Sequence, residues 1–137
     1  MKNRILAILG LVLLAAGSAS AQTPSQFKVP FPFMVAGKML PAADYRVVLT
    51  HSTGQVMLLP SKGTGAFTIT EPDGYRPELA SQDALSFERY GSTWVLRKVR
   101  ISGYEQETNV SKAKRRELAR LDRPGQQTLT ASVLSTH

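Results

Sequence analysis

Cysteine is missing from all 137 residues. That excludes disulfide staples, thiol catalysis, cysteine-ligated zinc, haem attachment and the acylated leader of a lipoprotein. Histidine is scarce, with only His51 and the last residue, His137. Two histidines so far apart give no metal-ligand spacing, and the His and acid pattern of a zinc protease is absent. Nothing in the chain implies a cofactor. Gly63-Thr64-Gly65 lacks the rest of a phosphate loop and has strand-like flanks, so it reads as a turn. Acidic residues are few, 10 against 17 Lys and Arg, which leaves a formal charge of +7. No internal repeat is visible. Long apolar runs are also absent, with one exception near the start.

That exception runs from Ile5 to Ala16, interrupted only by Gly10. Lys2 and Arg4 precede it, and Gly17-Ser18-Ala19-Ser20-Ala21-Gln22 follows. A positive start, a short apolar run and small residues at the exit are the pattern of a secretory signal peptide. Ala19 and Ala21 occupy the −3 and −1 positions, so cleavage is predicted between Ala21 and Gln22. The run is shorter than the roughly 20 apolar residues that span a bilayer. The expectation is a signal peptide over 1–21 and a single exported domain over 22–137 with no transmembrane span, periplasmic or extracellular. Losing Lys2 and Arg4 lowers the charge by two and leaves the domain basic. A domain of this size buries enough surface to fold without staples.

The rest of the chain reads mainly as β. Residues 22–26 form a polar lead-in. Phe27, Val29, Phe31, Phe33 and Val35 then alternate strictly, the period of a half-buried strand. Pro30 and Pro32 fall on the opposite parity, which suggests an edge strand. Whether this strand pairs within its own chain or with a neighbour is open. Further strands are predicted over Tyr45–Thr50, Gln55–Leu59 and Ala66–Thr70, the last with alternating Phe67 and Ile69. Glu71 to Asp83 reads as an exposed or extended loop. Ala84–Tyr90 and Thr93–Ile101 form a hairpin about Gly91-Ser92. Val95, Val99 and Ile101 share a face if Arg97 lies at a rim. The opposite parity of Trp94 and Leu96 suggests that this strand is covered on both sides.

One helix comes late. Asn109 or Ser111 caps it and Pro124-Gly125 stops it. Val110, Ala113, Leu118 and Leu121 fall near one face, with Lys112, Arg115, Arg116 and Arg120 on the other. The tail from about 125 to 137 is flexible or a marginal strand. Short strands with Gly and Pro between them point to a single antiparallel β-sandwich or small β-barrel carrying one short helix in the C-terminal region.

Three blocks carry a resemblance: Phe27-Lys28-Val29-Pro30-Phe31-Pro32-Phe33 with Val35-Ala36-Gly37-Lys38 and Leu40-Pro41-Ala42, then Phe87-Glu88-Arg89-Tyr90-Gly91, then Ser111-Lys112-Ala113 to Leu118. In order and spacing the chain resembles a group of small secreted proteins of unknown function abundant in soil acidobacteria, over roughly residues 27–120. The resemblance implies an exported all-β domain with a late helix, and no activity. Two departures stand out. Relatives tend to have Gly in place of Ala43, which would be strained at a positive φ. They also tend to have Glu in place of Lys114, where a Ser-x-x-Glu box would cap the helix.

Catalytic candidates are weak. His51 sits beside Ser52 and Thr53 and reads as a solvated turn residue. Ser61 and Lys62 are adjacent, so on an extended chain they point apart and share no proton. Glu71 and Asp73, or Glu105 and Glu107, would suit glycoside chemistry only if held in a groove at set separations. Trp94, Tyr90, Tyr75 and Tyr104 are candidates for a sugar-stacking platform, though aromatic residues beside strands more often pack across them. The stronger lead is basic: Arg97, Lys98 and Arg100 on one strand, then Lys112, Lys114, Arg115, Arg116, Arg120 and Arg123. Lys112, Arg115, Arg116 and Arg120 are the candidate anion-binding set. Export disfavours nucleic acid and leaves anionic polysaccharide, lipid head groups or an envelope protein as partners. The expectation is a non-enzymatic structural or binding module of the cell envelope or extracellular space. The alternatives are adhesion to an anionic polymer or membrane surface through the basic helix, and a hydrolase with an unrecognised site.

Overall fold

The computed structural model describes residues 24–110, 112–121 and 129–136. The predicted cleavage residues Ala19, Ala21 and Gln22 lie outside them. The described chain is mainly β with one helix, as the periodicity predicts.

Strand β1 (Ser25–Val29) stops at Pro30, and β2 (Phe33–Val35) begins after Pro32. Neither proline can donate a ladder bond, so the pair breaks one apolar run into two strands. Phe27, Val29, Phe33 and Val35 keep their alternation and are all buried. β1 pairs antiparallel with β4 (Ala43–Thr50), and β2 pairs parallel with β8 (Thr93–Ile101). Both halves thus pair within their own chain.

A two-residue turn at Ala36-Gly37 joins β2 to β3 (Lys38–Leu40), with φ of 51° and 74°. Paired left-handed residues are what such a hairpin requires. Among described non-glycine residues only Ala36 and Ser102 have positive φ, so Ala43 is unstrained.

The layers follow from the register. β1, β4, β5 (Gln55–Pro60) and the start of β6 (Ala66–Tyr75) form one. β6 then passes at Thr70 to β9 (Tyr104–Thr108) in the other, beside β8, β7 (Ala84–Tyr90) and β10 (Leu129–Leu134). β2 and β9 share one edge of β8, and β7 takes the opposite edge. The core of Phe27, Phe33, Tyr45, Leu58, Phe87 and Leu96 lies between the layers. The sheet is not closed by a full ladder. A single bridge, Phe27 to Ser135, and the Thr136 N–H donating to Gln26 O at 2.8 Å bring its ends together.

Three features depart from the periodicity. The segment Glu71–Tyr75, read as loop, is the second half of β6, and β9 was not anticipated. In β6 the inward residues are Thr68 and Thr70, while Phe67 and Ile69 stand on the outer surface at 51% and 60% exposure. Opposite the step from Ser86 to Phe87 in β7 the register shifts, leaving Arg97 as an extra residue in β8. This β-bulge resets the parity, so Leu96 and Val99 both join the core and Val95 is buried on the opposite side.

Gly54, at the turn between β4 and β5, has φ of 68°, and a Cβ there would stand 2.3 Å from the Thr70 carbonyl oxygen. Thr70 donates both its N–H (2.8 Å) and its hydroxyl (2.7 Å) to Gly54 O. Alanine at Gly54 is therefore expected to destabilise the fold by at least about 1 kcal/mol, read as a lower urea midpoint. An unchanged midpoint would show that the turn can move away from β6.

Candidate anion-binding surface

Helix α1 (Lys112–Leu121) is built from Ala, Lys, Arg, Glu and Leu, all strong helix formers. Its seat is Leu118, which is 1% exposed. Leu118 and Val95 line the same crevice, and Val95, on the side of β8 turned away from the core, is 3% exposed. The both-sided reading of β8 holds at this point.

Five of the ten helix residues are cations and one, Glu117, is an acid. Lys112, Arg116 and Arg120 recur every fourth residue, so their backbones line up along one face about 6 Å apart. Arg115, Arg116 and Arg120 are exposed. No carboxylate among the described residues pairs with any of these three. Lys114 stands half-buried and its Nζ lies 3.1 Å from Glu117. In place of a capping box, position 114 thus carries an ion pair with the next turn. Arg120 lies in the last turn, where a cation is favoured by the helix dipole.

The strand cations behave differently. Arg97 is 12% exposed, with Nη2 2.7 Å from Glu107 and Nε 3.5 Å from Glu88. Its Nε is buried and has no hydrogen-bond acceptor among the described residues. Lys98 Nζ is 2.5 Å from Asp73 and 3.3 Å from Glu105. Arg100 donates from Nε to Gln82 O at 3.0 Å, and its Nη1 stands 3.7 Å from Glu105. Arg76 approaches Glu105 at 3.7 Å as well. Hydrogen bonding to Lys98 holds the Asp73 carboxyl below the usual range, and the bond to Asp73 raises the Lys98 ammonium above its own. The linear run of basic residues therefore divides in two. Arg97, Lys98 and Arg100 belong to a neutralised network on the sheet, and the exposed charge resides on the helix.

The same network accounts for the acids weighed as catalytic pairs. Glu105 and Asp73 serve Lys98, and Glu107 serves Arg97. Glu71 is exposed, as are Ser61 and Lys62. Of the four candidate platform aromatics, Tyr75 and Tyr104 meet, and no ring contact among the described residues joins them to Trp94 or Tyr90. Tyr104 lies between His51, stacked at 4.1 Å, and Tyr75 at 4.7 Å. Trp94 stacks on Phe31 at 4.7 Å, with Arg89 5.8 Å over its ring. Tyr90 donates to Glu88 at 2.6 Å, and burial, then that carboxylate, raises its phenol.

Two surfaces were not anticipated from the residues. One is the outer face of the β5–β6 hairpin, where Met57 pairs across from Phe67 and both are exposed, with Leu59 and Ile69 beside them. The other is an apolar crevice of about 280 Å³ between α1, the β2–β3 turn and β8. The only signal for the crevice was the unbroken apolar run Trp94-Val95-Leu96. No helix among the described residues is long and apolar enough to cross a membrane. The chain matches no family model, and no curated protein or solved structure is significantly similar to it.

Proposed function

We propose that this chain is an exported, non-enzymatic binding module that adheres to a polyanionic surface through α1. The observation that carries the reading is the contrast in charge compensation. Strand cations are matched by carboxylates within the fold, whereas Arg115, Arg116 and Arg120 face solvent with none among the described residues. Unmatched arginines on one rigid element attract polyanions over a Debye length. The helix uses Leu118 to hold the sheet, so its contribution to binding is charge and not insertion. The leader-like sequence over 1–21 supports export, which makes envelope lipids and acidic polysaccharides the available polyanions.

The test is co-sedimentation of residues 22–137 with anionic vesicles and, separately, retention on an acidic polysaccharide, each over a salt series. A companion protein carries Arg115→Gln, Arg116→Gln and Arg120→Gln, which keeps helix propensity high. Each basic residue near an anionic surface contributes about 1 kcal/mol at moderate salt. The triple variant is therefore expected to bind more than tenfold more weakly while keeping its circular dichroism spectrum. Wild-type binding that is insensitive to salt, or unaltered in the variant, would overturn the reading.

A further inference from the structure

The crevice beside α1 has a different chemistry from the helix surface. Met34, Val35, Val95, Leu96, Val110 and Leu118 give it apolar walls. Its polar side chains are Thr108, Asn109 and Lys114. The Thr108 hydroxyl is already engaged, 2.6 Å from Leu96 O. Among the described lining residues Lys114 supplies the charged group, and its ammonium lies 3.1 Å from Glu117. At about 280 Å³ the space falls just short of the roughly 300–1,000 Å³ of small-molecule sites, which suits a slender occupant.

We propose that this crevice binds an amphipathic monocarboxylate, an unbranched acyl chain held against Val95 and Leu118 with its carboxylate at Lys114. The inference does not depend on adhesion of the helix to a surface, because it uses the side of α1 turned to the sheet. Lys114 would select the head group and the crevice would measure the chain.

The experiment is calorimetric titration of residues 22–137 with hexanoate, octanoate and decanoate below their aggregation concentrations, with decanol as the uncharged probe. Affinity is expected to rise about three- to fourfold per added methylene until the crevice is filled. Lys114→Met is expected to weaken decanoate about tenfold and leave decanol unchanged. Val110→Phe, at the half-buried rim of the crevice, is expected to weaken both. No saturable decanoate binding below millimolar concentration would overturn the proposal. So would affinity independent of chain length, or equal loss of decanoate and decanol in Lys114→Met. Arg115, Arg116 and Arg120 are unaltered in these proteins, so failure here leaves the surface reading standing, and the reverse.

Discussion

Replacing Phe87 with alanine is expected to lower the stability of the domain by about 3–5 kcal/mol. Phe87 is 1% exposed and lies where three parts of the chain meet. Its ring stands edge-on to Phe31 at 5.1 Å and to Phe33 at 5.1 Å. Phe33 in turn meets Tyr45 from the opposite layer at 5.3 Å. Truncation leaves a void that β2 cannot fill, because the adjoining Pro30-Phe31-Pro32 segment is stiff and β2 is pinned to β8. The loss is a large fraction of the 5–15 kcal/mol typical of a domain. Urea denaturation followed by Trp94 fluorescence measures it, since Trp94 stacks on Phe31 in the same cluster. A loss below about 1 kcal/mol would mean that the layers close over the gap, contrary to the packing described.

Asp83→Ala is expected to approach the same size through a different mechanism. Asp83 is 7% exposed, although the sequence places it at the end of a loop. One carboxylate oxygen accepts from the Ser25 hydroxyl, and the other from the Ser102 N–H at 2.8 Å. Its backbone carbonyl accepts from Ser135 N–H at 3.0 Å. One residue thus ties together the start of β1, the β8–β9 turn and the end of β10. Hydrogen bonds to a charged group contribute about 1.5–3 kcal/mol each, and losing the acceptor strands the buried Ser25 hydroxyl, whereas the Ser102 N–H lies nearer the surface. A loss of about 2–4 kcal/mol follows. Asp83→Asn keeps the shape with weaker bonds and is expected to lie between wild type and alanine. Equal midpoints for Asp83→Ala and wild type would show that solvent reaches the Ser25 and Ser102 donors.

The residues disclosed the elements whose inward positions are apolar, and obscured those whose inward positions are polar. β1, β4, β5 and β7 alternate plainly. β9 reads Tyr-Glu-Gln-Glu-Thr and offers no apolar period. Its buried Gln106 and Thr108 are satisfied instead by Thr70 Oγ1, 3.1 Å from the Gln106 amide, and by Leu96 O. Such pairing joins strands distant in sequence, so no local pattern announces it. In β6 the period was visible but not its sense, because an alternation of Thr with Phe or Ile does not say which set faces the core. The bulge at Arg97 is likewise a matter of pairing with β7. The basic candidates were legible as a group and not as two groups. The acids that neutralise Arg97, Lys98 and Arg100 come from β6, β7 and β9, and only the fold brings them together. On the helix, where spacing alone decides, the reading of Arg115, Arg116 and Arg120 as outward-facing agrees with their exposure.

The join between β1 and β10 has a kinetic consequence. Thr136 and Gln26, which meet there, are 110 positions apart. Contacts of such separation close the largest loop the domain contains, and chains dominated by them fold in milliseconds to seconds. The β4–β5 and β8–β9 hairpins need no such search and form early. The join therefore forms late, and exchange of the Thr136 amide should report opening events that leave the β4–β5 hairpin protected.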